Sequence, residues 1–107
     1  MFVIPCKFSR SNNFILPLIE GIRKYHENDD IVVVDSDSSD KSYFKDLEKL
    51  NVIIEDVANK HWMIGAYWHA FNKYDRDFYY FMHDSMKVKG SLDYLKSTEL
   101  TIMALLS

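Results

Sequence analysis

Glycine is scarce in this chain, with three in 107 residues, and the scarcity narrows its chemistry. A loop that wraps a pyrophosphate in backbone N–H groups needs glycine where it turns tightly and where it must come close to the phosphates. Neither the G-x-G-x-x-G dinucleotide turn nor the G-x-x-x-x-G-K-[ST] phosphate loop occurs. The G-x-S-x-G elbow of α/β-hydrolases is missing as well. Cysteine is rarer still. Cys6 stands alone, which excludes an internal disulfide and a zinc site made of cysteines. There is no excess of positive charge: 13 Lys and Arg face 16 Asp and Glu, for a net charge of −3, so no basic footprint for nucleic acid exists. No apolar run is long enough to span a bilayer. Met1-Phe-Val-Ile lacks the basic start of a signal peptide and runs at once into Pro5 and Lys7. These absences favour a cytoplasmic protein, and the length allows a single domain over 1–107.

What is present suits a globular core, with 48% apolar and 15% aromatic residues. A chain this long can bury roughly two thirds of its unfolded surface. Phe2-Val-Ile-Pro-Cys6 reads as a first strand. Ser11, Asn12 and Asn13 are capping types, and Ile15, Leu18, Ile19 and Ile22 follow at i, i+3, i+4, i+7, so a helix is expected to about Tyr25. Pro17 falls near its first turn, where a missing N–H costs little. Ile31-Val-Val-Val34 has four apolar residues in a row, all of them β-branched, the pattern of a strand buried on both faces. A short helix is expected over 42–50 and a third strand over 52–54. A helix over 61–74 would carry Met63, Ala66, Tyr67, Ala70 and Tyr74 on one face and His61, Gly65 and His69 on the other. Trp62, Trp68 and Tyr67 are most simply core. Phe78-Tyr-Tyr-Phe-Met82 is the fourth strand, closed by His83-Asp84. One helical turn is expected over 92–95.

The order β-α-β-α-β-α-β at this spacing predicts an open, mainly parallel α/β sheet with helices on both faces. The apolar run over 100–106, followed only by Ser107, reads as a strand completing the sheet or as a core element cut short. In the second case its uncovered apolar surface would favour self-association.

In a parallel sheet all strand ends share one edge, and ligands bind there. The ends here are Pro5-Cys6-Lys7, Asp35-Ser-Asp-Ser-Ser-Asp40, Glu55-Asp56 and His83-Asp84. Three of the four carry carboxylates. Gathered acids repel unless a donor or cation intervenes, and a divalent metal held together with a phosphate is one resolution. The alternative is that these acids are solvated loop residues or caps, with Ser39 or Asp40 capping the helix that follows.

Four segments, in order, resemble the donor half of a GT-A fold glycosyltransferase, nearest the large inverting family of nucleotide-diphospho-sugar transferases that includes cellulose and hyaluronan synthases. Val3-Ile-Pro-Cys6 is similar to its opening strand. Val32-Val-Val-Asp-Ser-Asp-Ser-Ser-Asp40 is similar to its VVDDGSTD segment. Asn59-Lys60 with Gly65-Ala66 and Ala70 is similar to its Asn-x-G…A stretch, and Tyr80-Phe-Met-His-Asp84 falls where its metal-binding DxD strand ends. The likeness covers residues 2 to 90. It implies a hexosyl-type transferase with a nucleotide-diphospho-sugar donor, UDP-sugar favoured. Pro5, Cys6, Asp35, Asp37 and Asn59 would lie at the nucleotide, and Asp84 at Mn²⁺ or Mg²⁺. Two departures stand out. Asp37 replaces the glycine of the pattern, and the DxD reads Asp84-Ser-Met86 with one carboxylate. The family's acceptor half, with its catalytic base, has no counterpart in these 107 residues. No catalytic residue is therefore assigned, the 1–107 chain alone is not expected to transfer sugar, and the acceptor, sugar or lipid, is unspecified.

Two other readings compete. Asp35-Ser-Asp37 after a strand also resembles the phosphatases of the haloacid dehalogenase superfamily, in which the first Asp is the nucleophile. A non-catalytic α/β binding module, such as a receiver-like domain with Asp35 or Asp84 as acceptor, is the third.

Overall fold

The computed structural model describes residues 1–7, 14–58 and 62–97, without the side chains of Trp62 and Ser97. Ser11 to Asn13, Asn59, His61 and the 100–106 run therefore lie outside the described residues. The strands form where β-branched and aromatic residues cluster. β1 (Phe2–Cys6), β2 (Ile31–Ser36), β3 (Ile53–Val57) and β4 (Tyr80–Phe81) make one sheet in the order β3-β2-β1-β4, with every neighbour parallel. Helices α1 (Ile15–Tyr25) and α2 (Phe44–Glu48) pack on one face and α3 (Trp62–Lys73) on the other. The doubly covered parallel sheet expected from the alternation is thus the observed class. A 3₁₀ helix at Asp93–Ser97 stands where the last helical turn was expected.

α1 buries Ile15, Leu18, Ile19 and Ile22, the four residues of the expected stripe. Pro17 is its third residue, where an N–H would have no partner within the helix. Arg23, in the last turn, does more than answer the helix dipole. Its guanidinium donates to the carbonyl oxygens of His26, Glu27, Asp29, Leu50 and Asn51 at 2.6–3.3 Å, tying the turn before β2 to the turn before β3. Gly21 permits a close crossing: a Cβ there would sit 3.3 Å from the carbonyl oxygen of Val88.

Alternation sorts the strands between two cores. Phe2, Ile4, Cys6, Ile31, Val33 and Tyr80 face α1 and α2, whereas Val3, Val32 and Val34 face Ala66 and Ala70 of α3. His26, buried behind α1, meets the Phe2 ring edge-on at 5.0 Å between centroids. Its Nε2 accepts from the Leu92 N–H at 3.0 Å, while the Tyr80 hydroxyl donates to the Leu92 carbonyl at 3.1 Å. These bonds anchor the segment after β4 to the amino end of the sheet.

Several boundaries differ from expectation. β2 runs two residues further than Val34, so Asp35 and Ser36 belong to the strand and pair with Cys6 and Val57. β3 runs to Val57, which places Glu55 and Asp56 inside the strand rather than beyond it. α2 is five residues long, and β4 is only two. Trp68 is not core but 65% exposed, and Met63 also faces outward. The cause is steric. The small Ala66 and Ala70, both 0% exposed, let α3 sit close on β1 and β2, and the large rings of the same helix are left on its far side.

Two features of the sheet position a site. β1, β2 and β3 step in one direction, and β4 returns to the other side of β1, so the topology reverses between β1 and β4. These two strands also pair over just two positions, Phe2 with Tyr80 and Val3 with Phe81, the last bond being Met82 N–H to the Val3 carbonyl at 2.9 Å. Their pairing goes no further than Val3 and Phe81, and the carboxyl edge beside such a reversal is where α/β sheets bind their ligands in a crevice.

Candidate functional site at the carboxyl edge of the sheet

Parallel pairing brings the ends of β1, β2 and β4 to one edge, so Cys6, Asp35 and Asp84 converge as the alternation implied. The thiol of Cys6 registers both acids. Burial pushes it up to about 12, against a hydrogen bond with Tyr43, and the charges of Asp84 and Asp35 push it the same way. Pro5 is buried in β1 opposite Val34, and Lys7 is exposed just past the strand.

Asp35 turns inward. It has no exposed surface. One oxygen accepts from the Ser38 N–H at 3.0 Å, and the other accepts from the hydroxyls of Ser38 and Tyr43. Burial first, and then the bond to Asp35, raises the pKa of the Tyr43 hydroxyl. The carboxylate folds the loop after β2 back under α2. A phosphoryl-accepting nucleophile needs an oxygen turned toward its substrate, and a base contact needs the same. Asp35 meets either only after the loop it holds has moved. Tyr43, the partner that sequence reasoning did not single out, sits eight residues on, a spacing that signals no contact until α2 packs on the sheet.

Asp37 is exposed at the tip of that loop with φ +55°, the left-handed region. An aspartate therefore holds a backbone conformation that favours glycine. Asp tolerates this region better than most residues. Asp40 accepts from the Ser42 N–H at 2.9 Å, an Asx turn just ahead of α2; the N-cap of that helix is Tyr43 and no side chain caps it, so neither Ser39 nor Asp40 is the helix cap of the alternative reading.

The acids of β3 are also answered within the fold. Glu55 faces α3 and accepts from Lys73 Nζ at 2.6 Å and from His69 Nε2 at 2.8 Å. Burial pushes its carboxyl up, but these two bonds outweigh it and hold the pKa below the usual value. Asp56, on the opposite face, takes both its bonds from Lys41 Nζ at 3.0 Å. His69 thus belongs to an ion-paired contact between α3 and β3, not to a free helix face.

Asp84 differs. It follows β4 in a turn, with its side chain 36% exposed. Its Oδ1 lies 3.2 Å from His83 Nδ1. That nitrogen accepts the Ser85 N–H at 3.3 Å and lies 2.8 Å from Ser85 Oγ. An imidazole nitrogen that accepts a backbone N–H carries no proton of its own while the ring is neutral. Carboxylate and lone pair then face each other, an arrangement relieved by a proton or a metal cation between or beside them. Burial and the Asp84 charge both raise the pKa of the Tyr67 hydroxyl, which donates to the Met82 carbonyl at 2.8 Å and closes the α3 side of the turn.

His26, Asp29 and Asp93 are near enough together to hold a metal ion. Their bonding argues otherwise. His26 Nε2 accepts from Leu92, so the ring proton is on Nδ1, which donates to Asp29 Oδ2 at 2.9 Å. A metal at Nδ1 would displace that proton and force it onto the nitrogen that must accept. The group also lies at the amino end of the sheet, away from the crevice.

Among the described residues no helix is long and apolar enough to cross a membrane. Comparison with protein-family models, with curated proteins and with solved structures finds no match to this chain.

Proposed function

We propose that the carboxyl edge binds a nucleoside diphosphate, or its sugar conjugate, as the donor site of a glycosyltransferase of the GT-A type. The observation that carries this is Asp84: a partly exposed carboxylate at the end of β4, beside the topological reversal, whose neighbour at 3.2 Å is the His83 Nδ1 that already takes the Ser85 N–H. Asp37 supports it through the glycine-like backbone of a loop whose sequence resembles the family's. Asp84 fits Mg²⁺ or Mn²⁺ as one oxygen ligand among several, since such ions keep waters and bind substrate phosphates alongside one or two carboxylates. The metal would neutralise the leaving diphosphate as an acceptor hydroxyl attacks the sugar. Within this chain Asp84 would hold the cation, Lys7 would add positive charge at the mouth, and Asp35 would shape the loop that carries Asp37. Pro5 and Cys6 would line the crevice through their backbone.

Calorimetric titration with uridine, UDP and a UDP-sugar, each with and without Mn²⁺, tests this. Wild type should bind UDP weakly and more tightly with metal. Asp84→Asn should lose the metal-dependent gain and keep the affinity for bare uridine. Equal, metal-independent binding by both would remove the role of Asp84. A preference for a phosphate analogue such as beryllofluoride would favour the phosphatase or receiver-like reading, and binding of neither class would leave a module without nucleotide function.

A further inference from the structure

α3 turns an apolar face away from the sheet. Met63, Ile64, Trp68 and Phe71 are 41, 78, 65 and 52% exposed. Ile64, Trp68 and Phe71 are spaced i, i+4, i+7, so they form one stripe along the helix. Beneath the stripe, Tyr67 and Phe81 floor an open groove of about 560 Å³. The rings are already fixed in place. Trp68 stacks on Phe71 with centroids 6.2 Å apart, Phe71 meets Tyr79 at 5.5 Å, Tyr79 stacks on Phe81 at 5.7 Å, and Phe81 meets Tyr67 at 4.9 Å. A surface ordered in advance loses little side-chain entropy when it is covered.

We infer that this face is a two-fold interface between two copies of the chain, with α3 packed antiparallel on α3. Two observations select a second copy as the occupant. The first is charge. α3 has no carboxylate and, before Lys73, no Lys or Arg, and His69 is turned to Glu55. A face of one sign would repel its own copy, whereas an uncharged stripe is complementary to itself. With the axis between Tyr67 and Trp68, Ile64 of one copy meets Phe71 of the other, and the reverse contact follows by symmetry. The second is area. With roughly 150–250 Å² on each aromatic side chain, the exposed parts of the four residues come to about 500 Å² per copy. The groove walls bring this toward the ~600–800 Å² per partner that a standard interface buries, and four large apolar side chains at its centre are the anchors such interfaces use.

Sedimentation equilibrium of the 107-residue chain over a wide concentration range decides this, together with Trp68 fluorescence in a Trp62→Phe background. The expected result is a monomer–dimer equilibrium in which Trp68 emission shifts to the blue as dimer forms. Ile64→Glu combined with Trp68→Glu should weaken the dimer by roughly 100-fold or more. Both sites are over half exposed, so far-UV circular dichroism of the double variant should match wild type. A chain that stays monomeric throughout overturns the proposal, as does a dimer that the double variant leaves intact. Trp68 emission that is shielded at every concentration also overturns it, because the cover is then part of the same chain.

Discussion

The two flanks of the carboxyl edge carry the same residue type and treat it in opposite ways. On the β2–β3 flank each acid within a strand is answered by the protein itself: Asp35 by Ser38 and Tyr43, Glu55 by His69 and Lys73, Asp56 by Lys41. On the β1–β4 flank Asp84 meets a nitrogen that is already an acceptor. The difference is one of supply. The connection from β2 to α2 supplies Ser38, Lys41 and Tyr43, and α3 supplies His69 and Lys73; a carboxylate with enough donors is a structural element, since burying it without them would cost several kcal/mol. The turn after β4 delivers a lone pair. An acid at a strand end therefore points to a ligand only after the donors brought by the neighbouring helices have been counted.

Removing the best-answered acid should have the largest effect. Asp35→Ala removes the buried acceptor shared by the Ser38 N–H and the hydroxyls of Ser38 and Tyr43, and the expected loss is about 3–5 kcal/mol in urea unfolding. Tyr43→Phe, which removes one donor and keeps the ring, should cost about 1–2 kcal/mol. If Asp35→Ala unfolds within 1 kcal/mol of wild type, on the scale of ordinary surface substitutions, the β2 flank is not structural and the contrast collapses.

Glu55 comes next and brings a pH signature. Its folded pKa lies below the ordinary 4.5. The unfolded chain takes up the proton first as pH falls, so the stability contributed by the ionised form is full above about 4.5 and is lost below it, as pH drops through the folded value. Glu55→Gln, which cannot ionise, should be less stable than wild type by about 1–2 kcal/mol near neutral pH. The two unfolding curves should then draw together as the solution is acidified. Stability differences that stay constant from neutral pH down to about pH 3 would show that the charge of Glu55 is not what binds α3 to β3.

The strands and α1 were legible because their signals are local. β-branched runs name β1 and β2, and the 3.6-residue stripe of Ile15, Leu18, Ile19 and Ile22 names α1 and its buried face. The meeting of Cys6, Asp35 and Asp84 at one edge was legible too, because a parallel sheet leaves no other arrangement. The fate of each acid was not. Lys41 lies 15 residues from Asp56, and Lys73 lies 18 from Glu55, so their pairing exists only after the helices dock. α3 was legible in part. Ala66, Tyr67, Ala70 and Tyr74 of the expected face pack on the sheet, whereas Met63 and Trp68 turn outward, because the sequence is apolar nearly all the way round and the close fit of Ala66 and Ala70 sets which large side chains are left outside.

The smallest effect on stability should fall on Asp84, and its size separates the two flanks most sharply. The side chain is partly exposed, and its contact with His83 sits in a solvent-facing turn, where screening leaves such interactions worth little. Asp84→Asn should shift stability by no more than about 0.5 kcal/mol in either direction. A slight gain is reasonable, because an amide N–H can donate to the nitrogen that the carboxylate only faces. Added Mn²⁺ should raise the melting temperature of wild type by mass action on the folded state, and the Asn variant should not respond. A loss of stability as large as that expected for Asp35→Ala would show that Asp84 is held by the fold after all. The β4 end would then be one more satisfied strand end, and the donor-site reading would lose the carboxylate on which it rests.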